Sequence, residues 1–185
     1  MIHKRSLIAG AGAAIAARAL LPHVVLLKFR RDVARLNAGN VGPVLAGYAD
    51  DAVLHFNEGP HRWSGDHRGK PAIERFLREF AGAGLKGEIR ELWIAGPPGA
   101  LTLIARFDDR AVGRDGEELY SNRVVIVART RWGKIVEHED FYFDTARIVA
   151  FDEKLRSLGI GPATEDRPAT EDRPATEDRP ATVVA

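Results

Sequence analysis

The residues best suited to acid–base chemistry lie near the end of the last long apolar stretch, in the run KIVEHEDFYFD. His138, Asp140 and Tyr142 are each two positions apart, so in a β-strand they share one face, together with Val136. A carboxylate can accept a proton while a neighbouring imidazole polarises the reacting group. We therefore predict Asp140 and His138 as catalytic residues and Tyr142 as a substrate-binding group. The alternative for His138 is a histidine at a sheet edge with satisfied hydrogen bonds.

A second pair with catalytic potential, Arg106 and Asp108, shares a face of another predicted strand. A guanidinium group can hold two carboxylates at once and push their pKa values apart. Arg106 and Asp108 are therefore candidate catalytic residues. The alternative is an ion pair at the rim of a sheet.

Three more polar side chains, His55, Asn57 and Asn122, are predicted to bind substrate. Metal binding is not predicted, because His55, His61 and His67 are scattered and form no HxH or HxxxH spacing. No glycine-rich loop leads from a strand into a helix, as nucleotide binding requires, so no cofactor is predicted.

These residues must be positioned by helices followed by strands. Apolar residues at helical spacing and the turn signals between them predict helices over Val24–Ala38, Val41–Ala49 and Pro71–Phe80, with a short strand over Ala52–Phe56. The pattern then alternates, which predicts strands over Glu88–Ala95, Leu101–Val112, Glu118–Arg131 and Lys134–Asp144, and a last short helix over Ile148–Leu158. Helices followed by antiparallel strands indicate the α+β class.

Composition excludes several function classes. The 185 residues suffice for one domain, and 45% hydrophobic with 29% charged residues is typical of a globular chain. The absence of Cys excludes disulfides, thiolate nucleophiles and Cys-ligated metal sites. A formal net charge of +1 gives no reason to expect nucleic-acid binding.

The two ends of the chain differ from its middle. Residues 1–23 hold a basic patch and an Ala/Gly-rich apolar run, which is either an apolar extension of a cytoplasmic protein or an export signal or membrane tether formed by residues 1–27. Residues 161–185 repeat Pro-Ala-Thr-Glu-Asp-Arg and are predicted to be a disordered tail. Residues 24–160 are predicted to form the domain.

The motifs of the chain run in order from Tyr48-Ala-Asp-Asp-Ala-Val to Trp132-Gly-Lys-Ile-Val-Glu-His-Glu-Asp-Phe-Tyr-Phe-Asp-Thr145. In this order of motifs, the chain resembles the SnoaL-like branch of the nuclear transport factor 2-like superfamily. The resemblance runs from about Val25 to Leu158. It implies a cone-shaped fold, in which a bent antiparallel sheet has helices packed in its concave face. It also implies a pocket for a small apolar molecule, and a homodimer.

Three enzyme types on this fold suggest different chemistry. At the positions where ketosteroid isomerases carry their base and oxyanion hole, this sequence has Phe56, Asp32 and Val125, so that mechanism is not expected. Limonene-type epoxide hydrolases use an Arg-x-Asp and a later Asp, which Arg106, Asp108 and Asp140 match. This resemblance implies that Arg106 orients Asp140 as the general base and that Asp108 is the acid.

Polyketide cyclases use an acidic base near a His, as Asp140 and His138 are arranged. This resemblance implies Asp140 as the general base and His138 as its electrophilic helper. We therefore predict an acid–base isomerase, cyclase or epoxide-hydrolase-like enzyme. The alternative is a non-catalytic binding or dimerisation module. The two differ in whether Asp140 and Arg106 point into the pocket.

Overall fold

A computed structural model describes residues 22–113 and 115–162 of the chain. The N-terminal segment and the repeat tail, apart from their inner edges, lie outside these ranges, so the predictions about them stay predictions. Within the described ranges, no helix is long and apolar enough to cross a membrane.

The described residues form four helices. They are α1 (22–37), α2 (Gly42–Leu45), α3 (Lys70–Gly82) and α4 (Thr145–Ser157). The chain turns after α1 at Gly39, whose φ of 85° is easy only for a residue without Cβ. Pro71 lies in the first turn of α3, where its missing N–H costs nothing, and the Asp144 side chain caps α4 by accepting from Arg147 N.

Six strands within the described ranges form one sheet. They are β1 (Tyr48–Phe56), β2 (Gly65–Arg68), β3 (Lys86–Ala95), β4 (Thr102–Val112), β5 (Glu118–Arg131) and β6 (Lys134–Tyr142). Their spatial order is β2-β1-β6-β5-β4-β3, with β1 parallel to β6 and every other pair antiparallel. The sheet is bent and open, and the predicted α+β class is confirmed.

A β-bulge interrupts the alternation of β6. Thr130 pairs with Ile135, but the preceding residue Arg129 pairs with Glu137, so Val136 is an extra residue in β6. Ile135 therefore faces the same side as His138. Simple alternation predicts Ile135 on the opposite face, and that prediction is wrong because of the bulge.

The core lies between the helices and one face of the sheet. Its larger cluster includes the fully buried side chains of Leu54, Ile73 and Leu155, and a smaller cluster under α1 joins Val33 to Phe107 and Val124. Burying a side chain of this size contributes roughly 1.5–3 kcal/mol to stability.

A buried ion pair ties α4 to the loop after β1. Asp152 has 0% exposed surface and accepts from Arg62 Nε at 2.5 Å and from Arg62 N at 3.2 Å. Arg156, one turn further along α4, also donates to it. Both oxygens of this carboxylate are thus satisfied, as a buried charge requires.

Candidate active site

A cavity of ≈ 240 Å³ lies between the helices and the sheet face that carries Ala105, Phe107 and Asp109, here called the cavity face. Its walls are mostly apolar, with Phe29 from α1, Phe80 from α3 and further side chains from the sheet. Phe29 packs edge-on against Phe107, with ring centroids 5.8 Å apart, so α1 forms one wall over β4. Such a site suits a small organic ligand.

A chain of three polar side chains enters the cavity from β1 and β6. The Tyr48 hydroxyl contacts His138 Nδ1, and His138 Nε2 lies 2.8 Å from Asp140 Oδ1. Burial, and secondly the negative charge of Asp140, raises the pKa of Tyr48 well above its ordinary value. Tyr48 therefore keeps its proton and donates to Nδ1. We assign the ring proton to Nε2, which donates to Asp140 and holds that carboxylate in place.

A second polar pair, Asp109 and Tyr142, lies on the same face. The Tyr142 hydroxyl donates to Asp109 Oδ2 at 2.6 Å. Burial raises the pKa of the Asp109 carboxyl from 3.8 to about 7; the hydrogen bond from Tyr142 lowers it, and the charges of Asp140 and Asp108 raise it. Near neutral pH, Asp109 is therefore present in both its acid and its anionic form.

Gly87 on β3 has no side chain, which leaves space for the other carboxyl oxygen of Asp109, Oδ1. A Cβ at Gly87 would lie 3.1 Å from Asp109 Oδ1 and 3.2 Å from the Phe107 ring. The side chain of Asn37 holds this strand in place, accepting from Gly87 N at 3.0 Å and donating to Gly87 O at 2.9 Å. The end of α1 and the floor of the cavity are thus fixed to each other.

The predicted triad of Arg106, Asp108 and Asp140 is not formed. Arg106 binds Glu91, and Asp108 Oδ2 accepts from Arg90 Nε at 2.7 Å, both on the outer face of the sheet. The prediction is wrong because alternation along β4 points Asp109, not Asp108, towards Asp140. Asp109 was detectable from the sequence as the polar position in the otherwise apolar row Ala105, Phe107, Ala111.

Comparison with known proteins identifies the family. A model of the SnoaL-like domain matches residues 29–138, which is more than half of the chain. The chain belongs to the SnoaL-like domain family. A search of curated proteins found no significant match.

Solved structures with the same fold include Bal32a from a soil-derived mobile gene cassette, at 24% identity and a TM-score of 0.53, covering 69% of this chain and 93% of that one. A nuclear transport factor 2-like protein from Burkholderia pseudomallei K96243 shares 21% identity with a TM-score of 0.54, covering 71% and 94%. TerC, co-crystallised with polyporic acid, shares 18% identity with a TM-score of 0.53, covering 69% and 97%. At these identities the likeness establishes the fold of the SnoaL-like domain, and the predicted nuclear transport factor 2-like fold is confirmed.

Three predicted binding residues of this SnoaL-like domain lie outside its cavity. His55 Nδ1 lies 2.6 Å from Asp66 Oδ1, an ion pair in which the hydrogen bond from His55 is the largest cause lowering the pKa of Asp66. His55 is turned away because its neighbours on β1, Leu54 and Phe56, fill the core. The placement of His55 in the pocket is therefore corrected.

Asn57 and Asn122 are used by the backbone instead. Asn57 Oδ1 accepts from Tyr142 N at 3.4 Å, and Asn122 Nδ2 donates to Asp144 O at 2.7 Å. Neither lines the cavity, so their predicted placement is also corrected. Of the predicted site residues, the cavity brings together His138, Asp140 and Tyr142.

Within the described part of the SnoaL-like domain, no group of three or more His, Cys, Asp or Glu side chains is arranged to hold a metal ion.

Proposed function

We propose that this SnoaL-like domain is an enzyme that moves protons on a small, largely apolar carbonyl compound, as an isomerase or cyclase. One observation carries the proposal: Asp140 and Asp109 line the same apolar cavity in different hydrogen-bonding environments. Two titratable groups with separate environments are the usual basis for assigning an acid and a base.

Asp140 is the base. Its Oδ1 is held by His138, while Oδ2 has no hydrogen-bond partner among the described residues and is free for substrate. This oxygen takes a proton from the carbon next to the carbonyl group. The electron pair of the broken C–H bond forms a C=C bond, and the carbonyl π electrons move to oxygen.

Asp109 is the acid. In its protonated form it donates to the developing oxyanion, and Tyr142 holds the carboxyl group by donating to Oδ2. Ketosteroid isomerases also use a protonated Asp as an oxyanion donor, although here the residue lies at a different strand position. Return of the proton to another carbon gives an isomer, whereas attack of the enol carbon on a second carbonyl closes a ring.

Cavity size limits the substrate. A cavity of roughly 150 Å³ accommodates benzene, so ≈ 240 Å³ corresponds to a molecule of one to two fused rings. TerC was co-crystallised with polyporic acid, and an organic ring compound as ligand agrees with the apolar walls of this cavity.

The test measures enolisation directly. β-Tetralone, a bicyclic ketone of suitable size, is incubated with the domain in deuterium oxide, and NMR follows exchange of the hydrogens next to its carbonyl. We expect exchange well above the buffer rate, a loss of about 10²-fold or more in Asp140→Asn, and a smaller loss in Asp109→Asn.

Matched controls lie next to each residue on the outer face. Asp108→Asn and Glu139→Gln remove the same charges from the same strands without entering the cavity. Exchange at wild-type rates in Asp140→Asn would refute the assignment of the base. Exchange at the buffer rate with the wild-type domain would refute the proposed function and favour a binding module.

A further inference from the structure

The hydrogen-bond donors that line the cavity are nearly all used within the protein. The hydroxyl of Tyr48 contacts His138, that of Tyr142 donates to Asp109, and His138 donates to Asp140. The amide of Asn37 donates to Gly87 O, and the hydroxyl of Thr130 donates to Leu101 O. A ligand therefore finds few free donors among the described residues.

Acceptors, in contrast, are plentiful. The carboxyl groups of Asp32, Asp109 and Asp140 all line the cavity. A carboxylate has about four acceptor positions, and each of these three uses only one or two on protein groups. In the proposed reaction, Asp109 and Asp140 act on the carbonyl group and on the carbon next to it. Asp32, on the opposite wall formed by α1, remains available to another group of the ligand.

The ion pairs of Asp32 differ from ordinary surface ion pairs because the Asp32 carboxylate is buried. Its side chain is 7% exposed, whereas those of its partners Lys28 and Arg31 are 58% and 66% exposed. A pair at the surface would not require its carboxylate to sit inside an apolar cavity. Burial of a charge is costly unless further hydrogen bonds satisfy it, so the free acceptor positions of Asp32 call for a donor from the ligand.

We propose that Asp32 is a recognition subsite for a hydroxyl group of the substrate, distinct from the carbonyl that reacts. This inference rests on the proposed function for the position of the carbonyl. It defines the substrate as an uncharged ring compound that carries both a carbonyl and a hydrogen-bond donor. Three carboxyl groups against one lysine at the cavity also disfavour an anionic ligand.

The experiment compares three ligands by equilibrium binding: β-tetralone, its ring-hydroxylated (phenolic) derivative and the matching methoxy derivative. The methoxy group fills the same space but cannot donate. For the wild-type domain we expect the phenol to bind about tenfold or more tightly than the methyl ether, the effect of a hydrogen bond to a charged group. In Asp32→Ala we expect the two to bind within about twofold of each other.

Internal controls separate recognition from folding. Unsubstituted β-tetralone should bind Asp32→Ala with unchanged affinity, because it has no donor for Asp32. Asp32→Asn keeps an acceptor oxygen and should retain part of the preference, and Asp108→Asn should retain all of it. Equal binding of phenol and methyl ether to the wild type would overturn the subsite, as would a uniform loss of all three ligands in Asp32→Ala.

Failure of this inference is distinguishable from failure of the proposed function. A phenol preference without deuterium exchange would leave the subsite standing and refute the reaction. Deuterium exchange without a phenol preference would support the reaction and refute the subsite. Absence of binding by all three ligands at millimolar concentration would overturn the subsite, because the size and donor arguments would both fail.

Discussion

Asp108 and Asp109 are adjacent in the chain, but their carboxyl groups lie on opposite faces of β4. Asp109 accepts from Tyr142 inside the cavity, and Asp108 pairs with Arg90 outside it. The strand thus offers two identical side chains in two environments, one position apart. Each substitution at Asp109 therefore has a built-in comparison at Asp108.

Asp109→Asn should stabilise the domain at neutral and alkaline pH. The folded state holds the proton of Asp109 up to about pH 7, whereas the unfolded chain releases it near 3.8. Stability from this group is therefore full below about pH 4 and is lost as pH rises towards about 7. Asn does not ionise, so the variant avoids this loss, which is on the order of 4 kcal/mol at most.

Urea unfolding at pH 4 and pH 8 measures the effect. The advantage of Asp109→Asn over wild type should grow between the two pH values, while Asp108→Asn should show no comparable change. A constant difference between Asp109→Asn and wild type would show that the Asp109 carboxyl ionises in the folded state as it does in the unfolded chain.

The deuterium exchange reaction should have an alkaline limb set by Asp109. Because the acid must hold its proton, the second-order rate constant should fall about tenfold per pH unit above about pH 7. The Asp109→Asn variant should be slower and lack this limb. The measurement is the exchange rate of β-tetralone from pH 5 to 9 with the buffer rate subtracted, and a rate that rises throughout would contradict the assignment.

Tyr48→Phe should disturb Asp140 through His138. Loss of the hydroxyl leaves Nδ1 without its donor, so the ring proton is no longer confined to Nε2. We expect about a five- to tenfold slower exchange, the effect of one hydrogen bond. Nitrogen-15 NMR of His138 should show a single Nε2–H tautomer in the wild type and a mixture in the variant. A single unchanged tautomer in the variant would exclude this role for Tyr48.

Asp152→Ala should be strongly destabilising, by about 3–5 kcal/mol, because it leaves a buried guanidinium without its partner. The side chain of Arg62 is 5% exposed and that of Arg156 is 56% exposed. Arg156→Ala should therefore cost much less in the same urea unfolding assay. Equal losses of stability in both variants would mean that the ion pair with the exposed Arg156, and not the one with the buried Arg62, accounts for the stabilisation.

We also propose that the domain forms a homodimer through the outer face of the sheet. Trp93, Ile104 and Val127 are register neighbours on β3, β4 and β5, and Trp93 is 51% exposed. An exposed apolar row of this kind is typical of an interface. Sedimentation velocity should give a dimer for the wild type and a monomer for Val127→Lys, and a wild-type monomer would refute the proposal.

The sequence predicted the long elements better than the short ones. Strands β3 to β6 each span nine or more residues, so a local bulge leaves most of their alternation readable. Strand β2 has only four residues, GDHR, with no apolar alternation, and was missed. The helix predicted over Val41–Ala49 ends at Leu45, because Tyr48 already belongs to β1.

Within the site, Asp140 and His138 could be predicted because alternation holds along β6 beyond the bulge. The prediction for Arg106 and Asp108 is wrong because it relies on the Arg-x-Asp motif of limonene-type epoxide hydrolases. The apolar row that contains Asp109 is the better indicator of which face of β4 lines the cavity. The partnership of Tyr48 with His138 joins residues 90 positions apart, and alternation within one strand contains no information about such contacts.

The helical wall of the cavity has an evolutionary consequence. Val25, Lys28, Phe29, Asp32 and Val33 all line the cavity from α1, whereas the carboxyl groups assigned to proton transfer belong to β4 and β6. Substitutions in helix α1 can therefore change which molecule is accepted and leave the proton-transfer groups untouched. With the proposed function, a lineage that carries this domain can acquire new substrates a few mutations at a time, without passing through an inactive ancestor.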